Sequence, residues 1–546
     1  MLASGGCGAA ALEGSGKLIE GGTMTLGVSS QPDFLDPALS YTASGWEAMW
    51  IVYTPLLTYA HVEGPAKLIP GLADALPRIS TDGRTYALRL RRGLTYSDGQ
   101  PVRASDFEHS VARVLYLGSG GAPFFEPIEG AIAYEKAGRA DDDISGIETD
   151  DQKRTITIHL TGPDASFSDV LAMNFGGLVP RSTPFENLTK DPPPGVGPYV
   201  ITESIPNRDF VLERRRDFPG LGIDGVPAGH VDTLRTLIIK SQAQQTQDVL
   251  NNELDYMHDP PDTDLKPTVL AQVGPEGSEP QRYESQPATS TYFFFLNTAV
   301  APFDDPLVRQ AVNVGVDRAA LARLFASELT PGCSFLPPGF PGYDKGFDTT
   351  ECPFGDPREA PDIERAQALL SEAGAVGAAV TVWGYSGSPT SRVTEAYADQ
   401  LSEIGFDVDL KILDTGVYYQ AIADQSEYPQ TGFTNWFADF PHPLNFYFLV
   451  DGDSIQPQNN QNTGNVNDPR INSEIASLRL QPDVAAVANR WAALDRYLVG
   501  ERSYIVPYGH RTLATFVSER VDFDSIVFHP LFLNDYTSFQ LKDLGW

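Results

Sequence analysis

The chain has 546 residues, 41% of them hydrophobic and 10% aromatic, which is the composition of a globular protein with two or three domains. Its 39 lysines and arginines are outnumbered by 72 aspartates and glutamates, and the net charge of −33 argues against a nucleic-acid partner because an acidic surface repels phosphates. Solubility alone is a sufficient reason for this acidity, and with no uninterrupted apolar run of about eighteen residues we predict no bilayer-spanning segment.

The first eight residues, MLASGGCG, resemble the end of a bacterial lipoprotein signal, because small residues lead into Cys7. The apolar segment that normally precedes such a cysteine is missing, and Ser4 stands where an aliphatic residue is usual. If Cys7 is lipidated, residues 1–17 are a leader remnant and a flexible tether to the cell membrane. The alternative is a chance cysteine in a disordered tail.

The first half of the chain alternates strand-like and helical segments. Alternating or β-rich runs predict strands at Thr23–Val28, 85–90 and 155–160, and a fourth strand follows the glycine turn GVGPYV at 195–200. Helices are predicted at 46–57 and 106–117, the second with Ser105 as its N-cap. The glycine turn lacks both the GxGxxG spacing and the following helix of a dinucleotide site, so no nucleotide cofactor is predicted.

The second half has a βαβ rhythm. Apolar runs predict strands at 292–296, 380–385 and 408–413, and amphipathic patterns predict helices at 307–325, 363–373, 394–404 and 484–498. Strands that alternate with helices in this way favour a parallel or mixed sheet with helices on its faces. The fold class is therefore predicted to be α/β.

Cys333 and Cys352 flank a loop rich in proline and glycine, which has little regular structure to hold it. A disulfide that closes this loop would stabilise the protein by about 3 kcal/mol in the chain-entropy model. Two free thiols are the alternative, but the leader-like N-terminus favours an oxidising compartment and hence the bridge.

The sequence contains few patterns typical of a catalytic or metal-binding site. The eight histidines show no HExxH and no pair at i, i+4, and there is no CxxC, so neither a metal nor another cofactor is predicted. The segment GYSG at 384–387 lacks the closing glycine of a nucleophile elbow. His442, three residues after Asp439, could ligate a metal, but a surface histidine between two prolines is the favoured interpretation.

The segment NWFADFPHP at 435–443 is the most informative in the chain, because it sets one acidic residue, Asp439, among aromatic rings and prolines. A carboxylate held among such rings lies in a low dielectric, where a cationic group of a ligand gains more from it than at an open surface. Taken alone, an aspartate beside a tryptophan is more often a turn residue or a helix cap.

Several segments, in this order along the chain, resemble landmarks of the extracytoplasmic solute-binding proteins of bacterial ABC importers, family 5, the oligopeptide-, dipeptide- and nickel-binding group. The most specific is a block at 71–107 that contains DGRTY, LRRGLTYSDG and ASDF. The others are DFLDP at 33–37, VYTPL at 52–56, GVGPY at 195–199, and FFLNT at 294–298 followed by FDD, VRQA and DR up to residue 318. The resemblance covers nearly all of the chain after residue 18.

The resemblance implies a periplasmic-binding-protein type II-like fold, in which two α/β lobes joined by a hinge close over a ligand and an extra subdomain lies beside the first lobe. We assign residues 18–53, 190–283 and 510–546 to lobe I, 54–189 to the extra subdomain, and 284–509 to lobe II. Such proteins capture a solute by cleft closure and deliver it to a membrane permease. The chain is accordingly predicted to be an extracytoplasmic, monomeric binding protein and not an enzyme.

In peptide-binding members, the segment corresponding to 436–439 supplies an aspartate that pairs with the α-amino group of the ligand. This implies that Asp439 binds the ligand, with Trp436 and Phe437 beside it. Tyr41 and Ala43 correspond to residues that contact the peptide backbone as an added strand. Further candidates for the pocket wall, each with core packing as the alternative, are Phe124, Phe125, Trp383, Tyr385 and Tyr418.

The ligand itself stays open at this stage, because the family carries peptides, metal chelates, opines, sugars or haem. A peptide is favoured, and a non-peptide cation would use Asp439 equally well. A secreted hydrolase is the remaining alternative, although it requires a nucleophile and a base that the sequence does not supply.

Overall fold

A computed structural model describes residues 16–140, 143–205, 208–262, 264–325, 328–387, 389–458 and 460–544. The strands in these ranges are β1 (Lys17–Ile19), β2 (Thr23–Val28), β3 (Leu57–Tyr59), β4 (Leu68–Pro70), β5 (Arg78–Ile79), β6 (Thr85–Arg89), β7 (Ile147–Asp150), β8 (Thr155–His159), β9 (Tyr199–Ile205), β10 (Asp209–Arg214), β11 (Thr233–Ile238), β12 (Tyr256–Met257), β13 (Tyr283–Pro287), β14 (Ser290–Leu296), β15 (Leu329–Pro331), β16 (Ala379–Tyr385), β17 (Asp407–Leu413), β18 (Thr431–Phe437), β19 (Ile505–Phe516), β20 (Phe528–His529), β21 (Leu533–Asn534) and β22 (Leu541–Asp543).

The α-helices in the same ranges are α1 (Ala43–Val52), α2 (Ser105–Tyr116), α3 (Ala122–Phe125), α4 (Ala131–Ala137), α5 (Phe167–Val170), α6 (Gln242–Leu250), α7 (Lys266–Val273), α8 (Pro306–Gly315), α9 (Arg318–Arg323), α10 (Lys345–Asp348), α11 (Ile363–Glu372), α12 (Thr390–Ile404), α13 (Thr415–Ile422), α14 (Leu444–Tyr447), α15 (Pro469–Leu478) and α16 (Ala488–Asp495).

Three sheets of four or more strands organise the described part of the chain. A five-stranded sheet has the order β12-β2-β11-β10-β9, with β2 parallel to both of its neighbours. A second sheet has the order β13-β19-β14-β18-β16-β17, with β15 added beside β19. A four-stranded sheet, β5-β6-β8-β7, lies within the part of the chain assigned to the extra subdomain and shares a buried apolar core with α2.

The second sheet contains the βαβ unit that the sequence predicted. Strands β16 and β17 pair in parallel and α12 connects them. Strand β14, with the sequence STYFFFL, is buried along its whole length between β18 and β19. An uninterrupted apolar run of this kind is typical of a central strand that is covered on both faces.

The chain passes between the first and second sheets at two places that touch each other. The backbone N–H of Val517, just after β19, donates to the carbonyl of Arg282, just before β13, at 3.1 Å. Val517 also forms a bridge with Tyr256 of β12 in the first sheet. These two adjacent connections are where the segments predicted to join the lobes lie.

The glycine turn at 195–200 leads into β9 and packs against the end of α1. A Cβ on Gly195 would lie 2.3 Å from the carbonyl oxygen of Val52, and one on Gly197 would lie 2.3 Å from that of Ile51. Only glycine permits so close an approach of two backbones. The motif is therefore explained by packing.

Several predicted helices have different boundaries in the structure. The helix predicted at 46–57 is α1, which ends at Val52. The helix predicted at 307–325 is two helices, α8 and α9, because Val316 is extended and Asp317 caps α9 by accepting from Ala320 N at 2.7 Å. The apolar pattern continues across this break and conceals it. The helix predicted at 484–498 is α16 followed by a π-helical segment, Arg496–Glu501.

The predicted N-cap of α2 is wrong. Ser105 is the first residue of the helix, and its hydroxyl donates to the carboxylate of Asp151 at 3.0 Å instead of capping the helix. A partner 46 positions away in the chain, which local sequence cannot reveal, decides this contact.

The structure contains the predicted disulfide between Cys333 and Cys352, whose Cα atoms are 6.1 Å apart. Both cysteines are buried in the core beneath the second sheet. Cys7 lies outside the described residues, so its lipidation stays a prediction.

Candidate functional site

A cavity of about 370 Å³ lies where the elements of the first and second sheets face each other. One wall comes from the segment around Tyr41 and from the residues after β12, and the other comes from the ends of β18 and β19. The charged side chains that line it are His258, Asp259, Asp439 and Arg511. The volume falls in the range that holds small ligands, about 300–1,000 Å³.

Asp439 is held at the wall of this cavity by two neutral donors. The hydroxyl of Tyr41 donates to Oδ1 at 2.8 Å, and Nδ2 of Asn445 donates to Oδ2 at 2.9 Å. The side-chain oxygen of Asn445 accepts in turn from the backbone N–H of Asp439 at 2.9 Å and from Nε1 of Trp436 at 3.1 Å. Asn445, at the start of α14, therefore fixes the orientation of both residues.

Asp439 is 7% exposed, and no lysine, arginine or histidine pairs with its carboxylate in the described part of the chain. Burial raises its pKa to about 6, and the hydrogen bonds from Asn445 and Tyr41 only partly oppose this effect. The group is therefore mostly ionised at neutral pH and lacks a cationic partner. A buried, unpaired carboxylate beside a cavity is a good receptor for a ligand cation.

Tyr41 separates this first cavity from a second one of about 450 Å³. Its ring lies among three others, with centroid distances of 5.7 Å to Trp46, 5.2 Å to Phe175 and 6.4 Å to Phe124. Gly120 makes room for it, because a Cβ there would lie 2.6 Å from the ring. The hydrogen bond to Asp439 therefore comes from a ring that contacts three others and lies between the two cavities.

Other contacts also join the two sides of this space. Phe124 and Phe440 meet edge to face with ring centroids 6.1 Å apart, and the backbone N–H of Ala165 donates to the carbonyl of Arg479 at 2.9 Å. The two walls therefore contact each other beside the cavities.

The residues that the sequence predicted to bind the ligand lie in different surroundings in the structure. Tyr41, Ala43, Phe437 and Asp439 line the first cavity, and Phe124 and Trp436 line the second. Ala43 is the first residue of α1 and Tyr41 precedes that helix, so neither belongs to a strand. The addition of a peptide strand at these residues stays a prediction.

The remaining candidates are packed in cores. Trp383 and Tyr418 form a buried cluster with Tyr385 against it, and the Tyr418 hydroxyl donates to the carbonyl of Phe433 at 2.6 Å. Phe125 is fully buried in the core of the four-stranded sheet. For these four residues the structure shows core packing, which was the alternative to a place in the pocket wall.

Sequence reasoning did not single out Arg511, His258, Asp259 or Asn445. Arg511 and His258 lie in segments without a motif, and only the fold brings them to the cavity. Asn445 could have been suspected, because it follows Asp439 by six positions and is separated from it by a proline-rich turn.

One group of buried side chains resembles a catalytic triad but does not have its geometry. Ser334, His510 and Asp348 do come together, but Nε2 of His510 faces both the Ser334 hydroxyl, at 3.3 Å, and the Asp348 carboxylate, at 3.1 Å. A catalytic triad uses the two ring nitrogens of the histidine for these two contacts. All three side chains are buried, so this group is a structural network.

The described residues show neither a membrane-spanning helix nor a metal-binding cluster. No helix there combines the length and the apolar character that crossing a membrane requires. Nor do the described histidines, cysteines, aspartates and glutamates form a group of three that could hold a metal ion.

Comparison with known proteins identifies the family. Residues 67–458 match bacterial extracellular solute-binding proteins, family 5 Middle. The chain is 26% identical over 415 residues to di/tripeptide-binding protein 2 of Pseudomonas aeruginosa (strain UCBPP-PA14), which covers 72% of each protein. Among solved structures, it is similar to clavulanic acid biosynthesis oligopeptide binding protein 2, with a TM-score of 0.85 and 25% identity over 97% of both chains. It also resembles the unliganded open form of the murein tripeptide binding protein MppA, with a TM-score of 0.76 and 20% identity over 97% of this chain and 99% of that one.

The fold is thus that of a periplasmic binding protein, as the sequence predicted. The chain belongs to the bacterial extracellular solute-binding proteins of family 5, which are substrate-binding proteins of ABC transporters and not enzymes. It is accordingly an extracellular or periplasmic protein.

Proposed function

We propose that this protein captures peptides in the first cavity, holds their amino-terminal ammonium group at Asp439, and delivers them to a membrane permease. The observation that carries the proposal is the buried Asp439 carboxylate, whose hydrogen-bond partners are a hydroxyl and an amide. A ligand ammonium supplies the charge that these partners lack.

The surroundings of Asp439 suit a ligand that is recognised by its end and its backbone. Phe437, Trp46 and Leu531 give the cavity an apolar lining, so water is readily expelled when a ligand enters. In such a setting, one carboxylate can select a cationic group without contacting the side chains of the ligand. This arrangement fits a protein that accepts peptides of varied sequence.

The names of similar proteins support the same ligand class. The Pseudomonas relative is described as binding di- and tripeptides, and the two structural neighbours as binding an oligopeptide and a murein tripeptide. A non-peptide solute, such as an opine, a metal chelate or a sugar, is the alternative that the same carboxylate could serve.

Native mass spectrometry of freshly purified protein tests the proposal, because a tightly held ligand is carried through purification. A retained mass that fragments into amino-acid residues is the expected result. Calorimetry should then show that N-acetylation of that peptide lowers its affinity about 100-fold, since acetylation removes the ammonium charge. Recovery of a non-peptide cation would support the alternative, and equal binding of free and acetylated peptides would contradict the role of Asp439.

A further inference from the structure

A third cavity, of about 650 Å³, lies between the part of the chain assigned to the extra subdomain and the part assigned to lobe II. Leu68 of β4, Ile79 of β5 and Asp169 of α5 line one side, and Phe340 and Val484 line the other. The volume falls in the range that holds small ligands, about 300–1,000 Å³. This space shares no described lining residue with the first two cavities, so a ligand here would leave the proposed peptide site free.

His442 brings an unused hydrogen-bond donor to the wall of the third cavity. The sequence favoured a surface position for this histidine, but the residue is only 3% exposed. Burial lowers the pKa of the ring to about 3, which keeps it neutral at physiological pH. Nδ1 accepts from the backbone N–H of Leu444 at 3.1 Å, so the proton of the neutral ring is on Nε2. That N–H has no acceptor in the described part of the chain.

Asp169 lines the opposite wall, and its hydrogen-bonding capacity is only partly used. Oδ1 accepts from the hydroxyl of Tyr59 at 2.9 Å, whereas Oδ2 has no partner among the described residues. Burial raises the pKa of this carboxyl to about 7. At neutral pH the group is therefore present in both protonation states, and it can either accept a hydrogen bond from a ligand or donate one.

The rest of the wall is mostly apolar. None of the described lining residues is a lysine or an arginine, and the other polar side chains are those of Ser168 and Asp483. Five prolines, which have no backbone N–H to donate, also line the space: Pro65, Pro77, Pro341, Pro441 and Pro482. A ligand carboxylate or phosphate would be buried here without a counter-charge, which is costly. The cavity therefore disfavours anions.

These groups suit an uncharged, apolar amide. Its carbonyl oxygen can accept from Nε2 of His442, its N–H can donate to Asp169, and its hydrocarbon groups can contact the apolar wall. A zwitterionic peptide is less well matched, because its carboxylate would lack a cation. Cyclic dipeptides and short peptides blocked at both ends have the required chemistry.

Contacts beside the third cavity connect it to Asp439. Its two walls touch where the backbone N–H of Ala165 donates to the carbonyl of Arg479 at 2.9 Å. The backbone N–H of Asn445 donates to the carbonyl of His442 at 2.8 Å, and the side chain of Asn445 holds Asp439. A ligand that binds both walls would therefore favour the arrangement in which Asp439 is oriented toward the first cavity.

We infer that the third cavity is a second ligand site, which takes uncharged apolar amides and thereby strengthens peptide binding in the first cavity. The existence of this site does not depend on what the first cavity binds. Only the coupling between the two sites rests on the proposed function.

Calorimetry on the full chain, freed of retained ligand by unfolding and refolding, tests the inference. The probes are cyclo(leucyl-proline), acetyl-dileucine amide, and acetyl-dileucine with a free carboxylate. The variant His442→Asn keeps a side-chain acceptor for Leu444 and removes the Nε2 donor. His529→Asn is the matched control. His529 is also buried, with a pKa lowered by burial to about 3, and its Nδ1 accepts from the backbone N–H of Leu531 at 3.2 Å, but it lines none of the three cavities.

We expect wild type to bind both uncharged probes, and to bind acetyl-dileucine at least about tenfold more weakly than its amide because the carboxylate is unpaired. His442→Asn should weaken binding of the uncharged probes about fivefold to tenfold through loss of one hydrogen bond, and His529→Asn should not. Saturating cyclo(leucyl-proline) should raise the affinity for a peptide with a free amino terminus at least about fivefold.

No binding of either uncharged probe to wild type at about 1 mM would overturn the site. Displacement of the probe by the amino-terminal peptide would also overturn it, because the two would then share the first cavity. An equal loss of affinity in both histidine variants would contradict the assignment to His442. Simultaneous binding without mutual effect would refute the coupling alone, whereas binding of the probe without binding of any peptide would support the site and count against the proposed function.

Discussion

Replacement of Asp439 by asparagine should make the protein more stable and make it bind its ligand less well. The change keeps the shape of the side chain and removes its charge. Burial raises the pKa of Asp439 to about 6, compared with 3.8 for an ordinary aspartate. A difference of this size between the folded and unfolded states corresponds to about 3 kcal/mol, at 1.36 kcal/mol per pKa unit.

The sign of the stability effect follows from proton linkage. Because the pKa of this carboxyl is higher in the folded protein, its contribution to stability is fully present below about pH 4 and is lost as the pH rises through about 6. Asparagine undergoes no such loss, although it accepts one fewer hydrogen bond from Tyr41 or Asn445, which costs about 1 kcal/mol. At pH 7.5 the variant should therefore be about 2 kcal/mol more stable, and this advantage should disappear near pH 4.

The effect on binding has the opposite direction. An ammonium group that pairs with Asp439 recovers the 3 kcal/mol by which burial penalises the charge, so the variant should bind an amino-terminal peptide about 150-fold more weakly. Urea unfolding at several pH values and calorimetry measure the two effects.

Asp495→Asn is the matched control. Burial raises the pKa of Asp495 to about 7, but its carboxylate accepts from the backbone N–H groups of Phe335 and Leu336 in a core and lines neither of the first two cavities. It should gain stability from loss of the charge without loss of affinity. If Asp439→Asn binds the peptide as tightly as wild type, the carboxylate is structural and the reasoning is wrong.

Four further outcomes are expected. Affinity for a peptide with a free amino terminus should fall by up to about tenfold per pH unit below pH 6 as Asp439 is protonated, and a flat calorimetric profile between pH 7.5 and 5 would contradict this. Tyr41→Phe should move the midpoint of that profile above pH 6, because the Tyr41 hydroxyl stabilises the ionised carboxylate, and an unchanged or lower midpoint would show that this hydrogen bond is not maintained in solution. Replacement of Cys333 and Cys352 by alanine should lower the free energy of unfolding by about 3 kcal/mol, since the bridge joins residues 19 positions apart; peptide mapping that finds both thiols free in exported protein would remove the basis of this expectation. X-ray scattering should give a smaller radius of gyration with saturating peptide than without, and identical profiles would argue against closure of the lobes on the ligand.

Local features of the sequence determined the class of the fold and the principal candidate residue. The apolar run of β14 and the βαβ pattern of β16, α12 and β17 have periods that only a layered α/β structure can bury, and both are present in the structure. The aromatic and proline-rich surroundings of Asp439 and the spacing of Cys333 and Cys352 are likewise readable along the chain. Helix ends were less well predicted, as at Val316, because an apolar pattern can continue through a break in the backbone.

The composition of the cavity was decided by tertiary structure. Tyr41 and Asp439 are 398 positions apart, yet their side chains meet at 2.8 Å. Arg511 and His258 reach the same space from segments that carry no motif, and Trp383 and Tyr418, which are equally aromatic, pack into a core instead. Sequence patterns report which residues a strand or helix buries, because burial follows the period of that element. Which buried residues face one another across the lobes depends on how the sheets are placed, and that is set by long-range packing and not by any local pattern.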